Sequence, residues 1–352
     1  RAINKRIKLI MAYTTINKST DYFNTKLYTG TSSGNQAVTG VGFQPDWIWT
    51  KNRVDTFGSN LYDVIRGTGY YLQSNNTSAS QSAVASLISF DSDGFTVGTG
   101  DNVQYTSNNG VAWNWKANGA GSANTDGDIN STVSANTTSG FSIVNYTGTL
   151  SGSGNPTVGH GLGVAPAVII IKSASNGENW GVQHTSLPAN YLLQLNTTSA
   201  QINSASQGTL TAPTSSVFTV NYSGEWGNSG QNYIAYCFAE KQGFSKFGSF
   251  TASNPCFVYT GFKPAFVMLK RYSATGNWSI LDNKRANSFN PQDPLYANAT
   301  DAEQTSDDYD LVSNGFVVKN ASGGGGGDSG SMLYMAFGQT LVGTNNVPAN
   351  AR

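Results

Sequence analysis

Three lysines in this 352-residue chain each precede an ionisable group by twelve residues: Lys51 and Asp63, Lys172 and His184, Lys270 and Asp282. A lysine held near a carboxylate or an imidazole can act as a base or a nucleophile. A position that accepts either Asp or His also suits a polar tie to a turn or to the nearby lysine. A lysine at a strand end likewise suits a solvated charge or a salt bridge. His160 and His184 are the only histidines, no G-x-S-x-G elbow is present, and no Cys–His pairing recurs. The structural reading therefore leads: no catalytic residue is assigned and no enzyme activity is expected.

Asp91 and Asp93, in SFDSDGFTV, are weak candidates for calcium. The matching turns elsewhere, SSV and SNG, lack both carboxylates, and Asp-Gly between two apolar runs is a hairpin signal. No metal and no cofactor is expected. A glycosidase needs two carboxylates facing one cleft, and nothing singles out such a pair. Asn75, Asn196 and Asn298 each open an N-x-T triplet, read as a recurring turn whose Asn side chain bonds its own backbone. Cys237, in an alternating strand, reads as a small buried hydrophobe. With Cys256 it is one of only two cysteines, too few for a disulfide framework.

Binding chemistry is better placed in three loops: TGDNVQYTSNN with Tyr105, NYSGEWGNSGQ with Glu225, Trp226, Asn228 and Gln231, and NASGGGGGDSG. Trp226 could stack on a sugar ring while the neighbouring amides bond its hydroxyls. Loops that vary on a repeated scaffold are the usual carriers of recognition.

The scaffold that holds these residues repeats three times. Pro45, Pro166 and Pro264 each open an apolar run, and glycine plus a large apolar residue precedes each one. L-x-x-N-x-T-x-A follows in all three copies, in YLQSNNTSA, LLQLNTTSA and PLYANATDA. Next come the segments with Phe95, Phe218 and Phe316, and then aromatic strands ending at Trp115, Phe238 and Phe337. Repetition at such constant offsets marks tandem modules. The expected division is an N-terminal segment 1–21, module 1 at 22–117, a Gly/Ser/Asn linker at 118–139, module 2 at 140–240, module 3 at 243–340 and a tail 341–352. Modules 2 and 3 abut, so their relative orientation is expected to be the better fixed.

Each module shows seven or eight short alternating or apolar runs separated by turn residues, with no 3.6-residue stripe. The expectation is all-β: three tandem β-sandwich, jelly-roll-like modules from an internal triplication. Alternation puts Trp47 with Trp49, and Trp113 with Trp115, on the core face of their strands.

Charged residues make up 11% of the chain and balance at 20 basic and 20 acidic. No basic footprint recruits nucleic acid or a membrane surface. No apolar run reaches the ~18 residues of a spanning helix. RAINKRIKLI lacks the apolar region of a secretory signal, and Met11-Ala12-Tyr13 reads as an ordinary start. On that reading residues 1–10 are upstream sequence, leaving 16 basic against 20 acidic residues and a net charge of −4.

The strings F-x-P-x-W-I-W-x-K-N-R (Phe43 to Arg53), L-x-D-x-x-R-G (Leu61 to Gly67), S-F-D-S-D-G-F-T-V-G (Ser89 to Gly98), V-A-W-N-W-K-A (Val111 to Ala117), G-F-S-I-V-N-Y-T-G (Gly140 to Gly148) and Y-I-A-Y-C-F-A-E (Tyr233 to Glu240) resemble an uncharacterised repeat family. That family is associated with virion proteins of marine tailed bacteriophages, including those of cyanobacteria and pelagic bacteria. The resemblance covers nearly all of residues 12 to 340. It implies a non-enzymatic structural protein displayed at the virion surface, and it carries over no catalytic residue. A tail-fibre or receptor-binding component is the leading reading. A capsid decoration or head-fibre protein, and a carbohydrate-binding lectin or polysaccharide-active enzyme, are the alternatives. The implied partners are other virion proteins, further copies of the chain (a trimer if it is a fibre) and host surface polysaccharide. The five-glycine run of module 3 departs from the family pattern.

Overall fold

The computed structural model describes residues 14–340 apart from 32, 83, 101–102, 105–108, 153, 222–225, 286–292, 306–307 and 320–329. These residues form 27 strands and two single-turn 3-10 segments, Ser19–Asp21 and Ala205–Gln207. No helix among them is long and apolar enough to cross a membrane.

The first module contains β1 (Phe23–Thr29), β2 (Gln36–Thr39), β3 (Trp47–Asn52), β4 (Asn60–Asp63), β5 (Tyr70–Gln73), β6 (Gln81–Ser82), β7 (Leu87–Asp91), β8 (Gly94–Val97) and β9 (Asn109–Trp115). Next come β10 (Ser122–Asn124), β11 (Ser131–Asn136), β12 (Phe141–Thr147), β13 (Thr157–Gly159), β14 (Val168–Ser173), β15 (Gly181–His184), β16 (Tyr191–Gln194), β17 (Ile202–Asn203), β18 (Val217–Thr219) and β19 (Asn232–Phe238). The third module contains β20 (Ser245–Thr251), β21 (Cys256–Tyr259), β22 (Pro264–Arg271), β23 (Trp278–Asp282), β24 (Leu295–Tyr296), β25 (Tyr309–Val312), β26 (Gly315–Val318) and β27 (Ser331–Gly338).

Each module has a large sheet and a small one. The large sheets run β1-β9-β3-β4-β5-β6, β10-β11-β12-β19-β14-β15-β16-β17 and β20-β27-β22-β23-β24. The small sheets are β2-β8-β7, β13-β18 and β21-β26-β25. The order β1-β9-β3-β4-β5 thus returns as β12-β19-β14-β15-β16 and as β20-β27-β22-β23-β24.

Period-2 alternation divides the side chains of each central strand between two cores. On β3, Trp47 and Trp49 join one apolar cluster while Ile48 joins another. On β14, Val168 and Ile170 part from Ile169 and Ile171 in the same way, and on β22 Phe266 and Met268 part from Val267 and Leu269. Both faces are covered, so these strands read as continuous apolar runs. One face of every large sheet enters a single cluster shared by all three modules. The other face joins a private cluster with its small sheet, and Phe95, Phe218 and Phe316 are fully buried there.

Trp115, Phe238 and Phe337 meet where the three large sheets converge, with pairwise ring centroids 6.5, 5.7 and 5.9 Å apart. Trp47 of module 1 stacks on Tyr236 of module 2 at 4.4 Å, and Phe266 of module 3 meets Trp115 edge-on at 5.5 Å. The modules therefore share one core and are not beads on a string.

Residues 118–139, expected as a linker, instead hold β10 and β11, which lengthen the second large sheet by pairing onto β12. Main-chain hydrogen bonds secure this ladder, and Ile129 and Val133, with the partly buried Ala135, are what the segment contributes to the adjoining apolar cluster, so it has little hydrophobic signature.

Candidate functional site

The recurring lysines point inward on β3, β14 and β22 and are fully buried, so the expected solvated charge or salt bridge is not what forms. Lys51 Nζ donates to the carbonyls of Phe57 (2.9 Å) and Ala299 (3.1 Å). Lys270 Nζ donates to Gly276 (2.7 Å) and Thr198 (3.0 Å), and Lys172 Nζ to Ser173 (2.8 Å) and Asn176 (3.2 Å). Lys51 thereby ties module 1 to module 3, and Lys270 ties module 3 to module 2. Burial lowers the lysine pKa values to about 8 for Lys51, about 8 for Lys172 and about 7 for Lys270.

Asp63, His184 and Asp282 end β4, β15 and β23. Each does bond its following turn, as expected, but none bonds the lysine. Asp63 accepts from Arg66 N (2.9 Å) and Arg66 Nε (2.6 Å), and Asp282 accepts from Arg285 N (3.1 Å) and Arg285 Nε (2.6 Å). His184 Nδ1 accepts from Ser186 N at 3.1 Å. The second partner lies in the next module. Tyr236 hydroxyl donates to Asp63 (2.9 Å), Trp113 Nε1 donates to Asp282 (2.9 Å), and His184 Nε2 lies 3.3 Å from the Tyr334 carbonyl.

Three positions change together. Trp113, Tyr236 and Met335 are equivalent, each two residues before the ring that meets at the centre. Where that position can donate, the facing residue is Asp with an arginine three residues on. Where it is Met335, which has no donor, the facing pair is His184 and Leu187. An Asp there would be a buried carboxylate without its second donor or its arginine. His184 instead sits neutral, with burial lowering its pKa to about 4. This exchange was readable in the sequence as D-x-x-R twice against one H-x-x-L.

The asparagines of the N-x-T triplets reach farther than a local turn. Asn75, Asn196 and Asn298 Oδ1 accept from the backbone N–H of Ser59 (2.9 Å), Trp180 (2.9 Å) and Trp278 (2.7 Å), bracing adjacent strands at their ends.

Of the loop residues expected to bind a ligand, Tyr105 and Glu225 lie outside the described residues. Trp226 is corrected from a stacking platform to a core side chain: it is fully buried in the module 2 cluster. Its carbonyl accepts from Tyr146 Oη at 2.6 Å, just as the Val103 carbonyl of module 1 accepts from Tyr28 Oη at 2.8 Å. Val103 is also fully buried, so both loops insert a plug at this position. Gly181 makes room for the larger plug: a Cβ there would fall 2.8 Å from the Trp226 ring. The equivalent residues are Asn60 and Ser279, another signal available in the sequence. Asn228 N–H donates to Tyr233 Oη (3.0 Å), and Gln231 Oε1 accepts from Ser173 Oγ (3.2 Å) and Tyr233 Oη (3.0 Å). Both residues therefore tie down the loop.

Asp93 caps the backbone N–H groups of Gly40 (3.0 Å) and Gly42 (2.7 Å), which lowers its pKa, while Asp91 accepts from Thr96 Oγ1 (2.7 Å). The two carboxylates serve separate partners. Among the described residues no group of three or more His, Cys, Asp or Glu is placed to hold a metal ion. His160 Nδ1 accepts from Leu162 N–H (3.2 Å), and burial lowers its pKa. Burial pushes the Cys237 thiol up, as befits a member of the module 2 cluster.

A cavity of about 140 Å³ opens in module 2 beside Ile169, Gln183, Leu187, Asn190, Tyr191 and Pro213. Its lining contains no Asp, Glu, Lys or Arg. Modules 1 and 3 place a third strand, β7 or β25, in the small sheet, whereas module 2 has only β13 and β18. The segment that passes there includes Pro213, which has no N–H to give a ladder. Asn190 holds the rim at φ 67°, with its Oδ1 accepting from Leu210 N at 3.0 Å. The volume is close to the ~150 Å³ of a cavity that takes one benzene-sized ring.

A family model described as a domain of unknown function, DUF7483, matches residues 18–340. No curated protein and no solved structure matches the chain.

Proposed function

The chain belongs to the DUF7483 family, a domain of unknown function, and from that premise we propose that it is a non-enzymatic structural protein of a tailed-bacteriophage virion. It is exposed at the particle surface and works as a tail-fibre or receptor-binding component, with other virion proteins and host surface polysaccharide as partners. One observation carries the reading: five of the six recurring ionisable side chains bond a neighbouring module, while Lys172 bonds carbonyls of its own. Asp63 and Asp282 meet donors of one neighbouring module, and Lys51 and Lys270 meet carbonyls of the other. Polar groups buried and hydrogen-bonded in this way stiffen a scaffold. The correspondence of strand orders supports the finer reading of three jelly-roll-like modules derived by triplication. Three modules around one core also supply threefold geometry within one chain, without requiring the homotrimer of a fibre.

Immunogold labelling of phage particles that carry this gene tests the proposal. Label on the tail, together with competition for adsorption by the purified protein, supports it. Label on the capsid without competition moves the protein to the decoration or head-fibre alternative. Absence from the particle overturns the reading.

The lectin alternative is favoured by the uncharged, single-ring cavity of module 2. Saturation-transfer NMR with neutral monosaccharides tests it, with loss of transfer in Leu187→Trp as the expected control.

A further inference from the structure

The three small sheets end on equivalent strands. Val38, Val158 and Val258 lie opposite Phe95, Phe218 and Phe316, which aligns Ala37 and Thr39 on β2 with Thr157 and Gly159 on β13 and with Phe257 and Tyr259 on β21. Each of these strands pairs within its small sheet on one side only.

The other side is treated in three ways. In module 2 it is occupied by the chain itself. Ile129 N–H donates to the Thr157 carbonyl (2.9 Å), Thr157 N–H donates to Asp128 Oδ2 (3.0 Å), Ser131 Oγ donates to the Gly159 carbonyl (3.2 Å), and Ile129 bridges Val158. This edge is therefore competent to take another extended segment. In module 1 the flanking side chains are small or polar, Ala37 and Thr39, both exposed. In module 3 they are aromatic: Phe257 is 52% exposed and Tyr259 58%. A Cβ on Gly315 would sit 3.0 Å from Phe257 Cε2, so the glycine lets that ring lie close over the sheet. Among the described residues no strand pairs with β21 on this side. Soluble proteins cover, charge or shorten such an edge, and an exposed aromatic edge marks an interaction surface.

We propose that β21 is the seam of a homodimer, in which β21 strands of two copies pair antiparallel across a twofold axis at Val258. The occupant follows from self-complementarity. Thr157 and Gly159 show which main-chain groups point outward, so Phe257 and Tyr259 present theirs on β21. Antiparallel pairing about Val258 sets Phe257 opposite Tyr259 of the partner subunit twice, giving two cross-strand aromatic pairs on one face. Cys256 to Tyr259 carry no charge, and the neighbouring Lys319 and Asp310 already pair at 3.2 Å, so no like charges oppose. An isologous twofold closes and adds no further edge for growth at this site. The proposal does not depend on the virion reading.

Sedimentation velocity over a wide concentration series tests it on the full chain. Wild type should shift towards twice the chain mass as concentration rises. Phe257→Ala with Tyr259→Thr, which copies the module 1 residues, should stay monomeric with an unchanged melting temperature. Phe257→Lys, on the same exposed face, should do the same. The amides of Phe257 and Tyr259 should gain hydrogen-exchange protection with concentration in wild type only. A wild type that is monomeric throughout, or variants that dimerise like it, would overturn the proposal.

Discussion

Trp113 donates its indole N–H to Asp282 Oδ2 at 2.9 Å, joining β9 of module 1 to β23 of module 3. The same carboxylate oxygen accepts from Arg285 Nε at 2.6 Å, so one buried oxygen serves a turn and a module junction together. Asp63 does likewise with Arg66 and Tyr236.

Trp113→Phe and Tyr236→Phe should each destabilise the protein by about 1–3 kcal/mol, the cost of leaving a buried charged acceptor short of a donor. Met335→Leu, a near volume-conserving change at the third equivalent position, should cost under ~1.5 kcal/mol. Urea midpoints at constant m-value check the ranking.

His184→Asp alone should be severely destabilising, by about 3–5 kcal/mol, because it buries a carboxylate beside Met335 and Leu187 with no cation. Adding Leu187→Arg should recover part of that loss. A double-mutant cycle should give a favourable coupling of about 0.5–3 kcal/mol, and strict additivity would refute the linkage between the two positions.

Stability should fall on acidification through His184. Its folded pKa, about 4, lies below the unfolded value of ~6.5, so its contribution is complete above pH 6.5 and is lost as pH falls through 4. The loss should approach about 3 kcal/mol. His160 adds in the same direction. The buried lysines extend the trend upward. Lys270 has a folded pKa of about 7, and the unfolded chain binds the extra proton up to ~10.4, so stability rises with pH across that interval. Denaturation midpoints against pH should flatten at the acid end in His184→Gln and at the alkaline end in Lys270→Met.

Trp226→Ala should cost about 3–5 kcal/mol, as for a buried core tryptophan. Trp226→Val with Gly181→Asn, which copies Val103 and Asn60 of module 1, should be milder than Trp226→Ala. Thermal melts decide the order. An unaffected Trp226→Ala would return this side chain to the surface.

The sequence by itself determined which residues share a face. Alternation placed Trp47 with Trp49 and Trp113 with Trp115, spaced Phe95, Phe218 and Phe316 as buried anchors, and marked the strands between turn residues. Such periodicity is a local property of a pleated chain, so it is written residue by residue. What covers each face is not local. The lysines looked solvated because a strand end next to a turn is usually wet, and only the neighbouring module supplies the carbonyls of Ala299 and Thr198. Trp226 looked free because loops usually are, and only the glycine at 181 opens the space that buries it. Residues 118–139 looked like a linker because backbone pairing needs no apolar signature. Tertiary structure alone decided that the three large sheets close around one core, since that choice depends on surfaces far apart in sequence meeting with complementary shape.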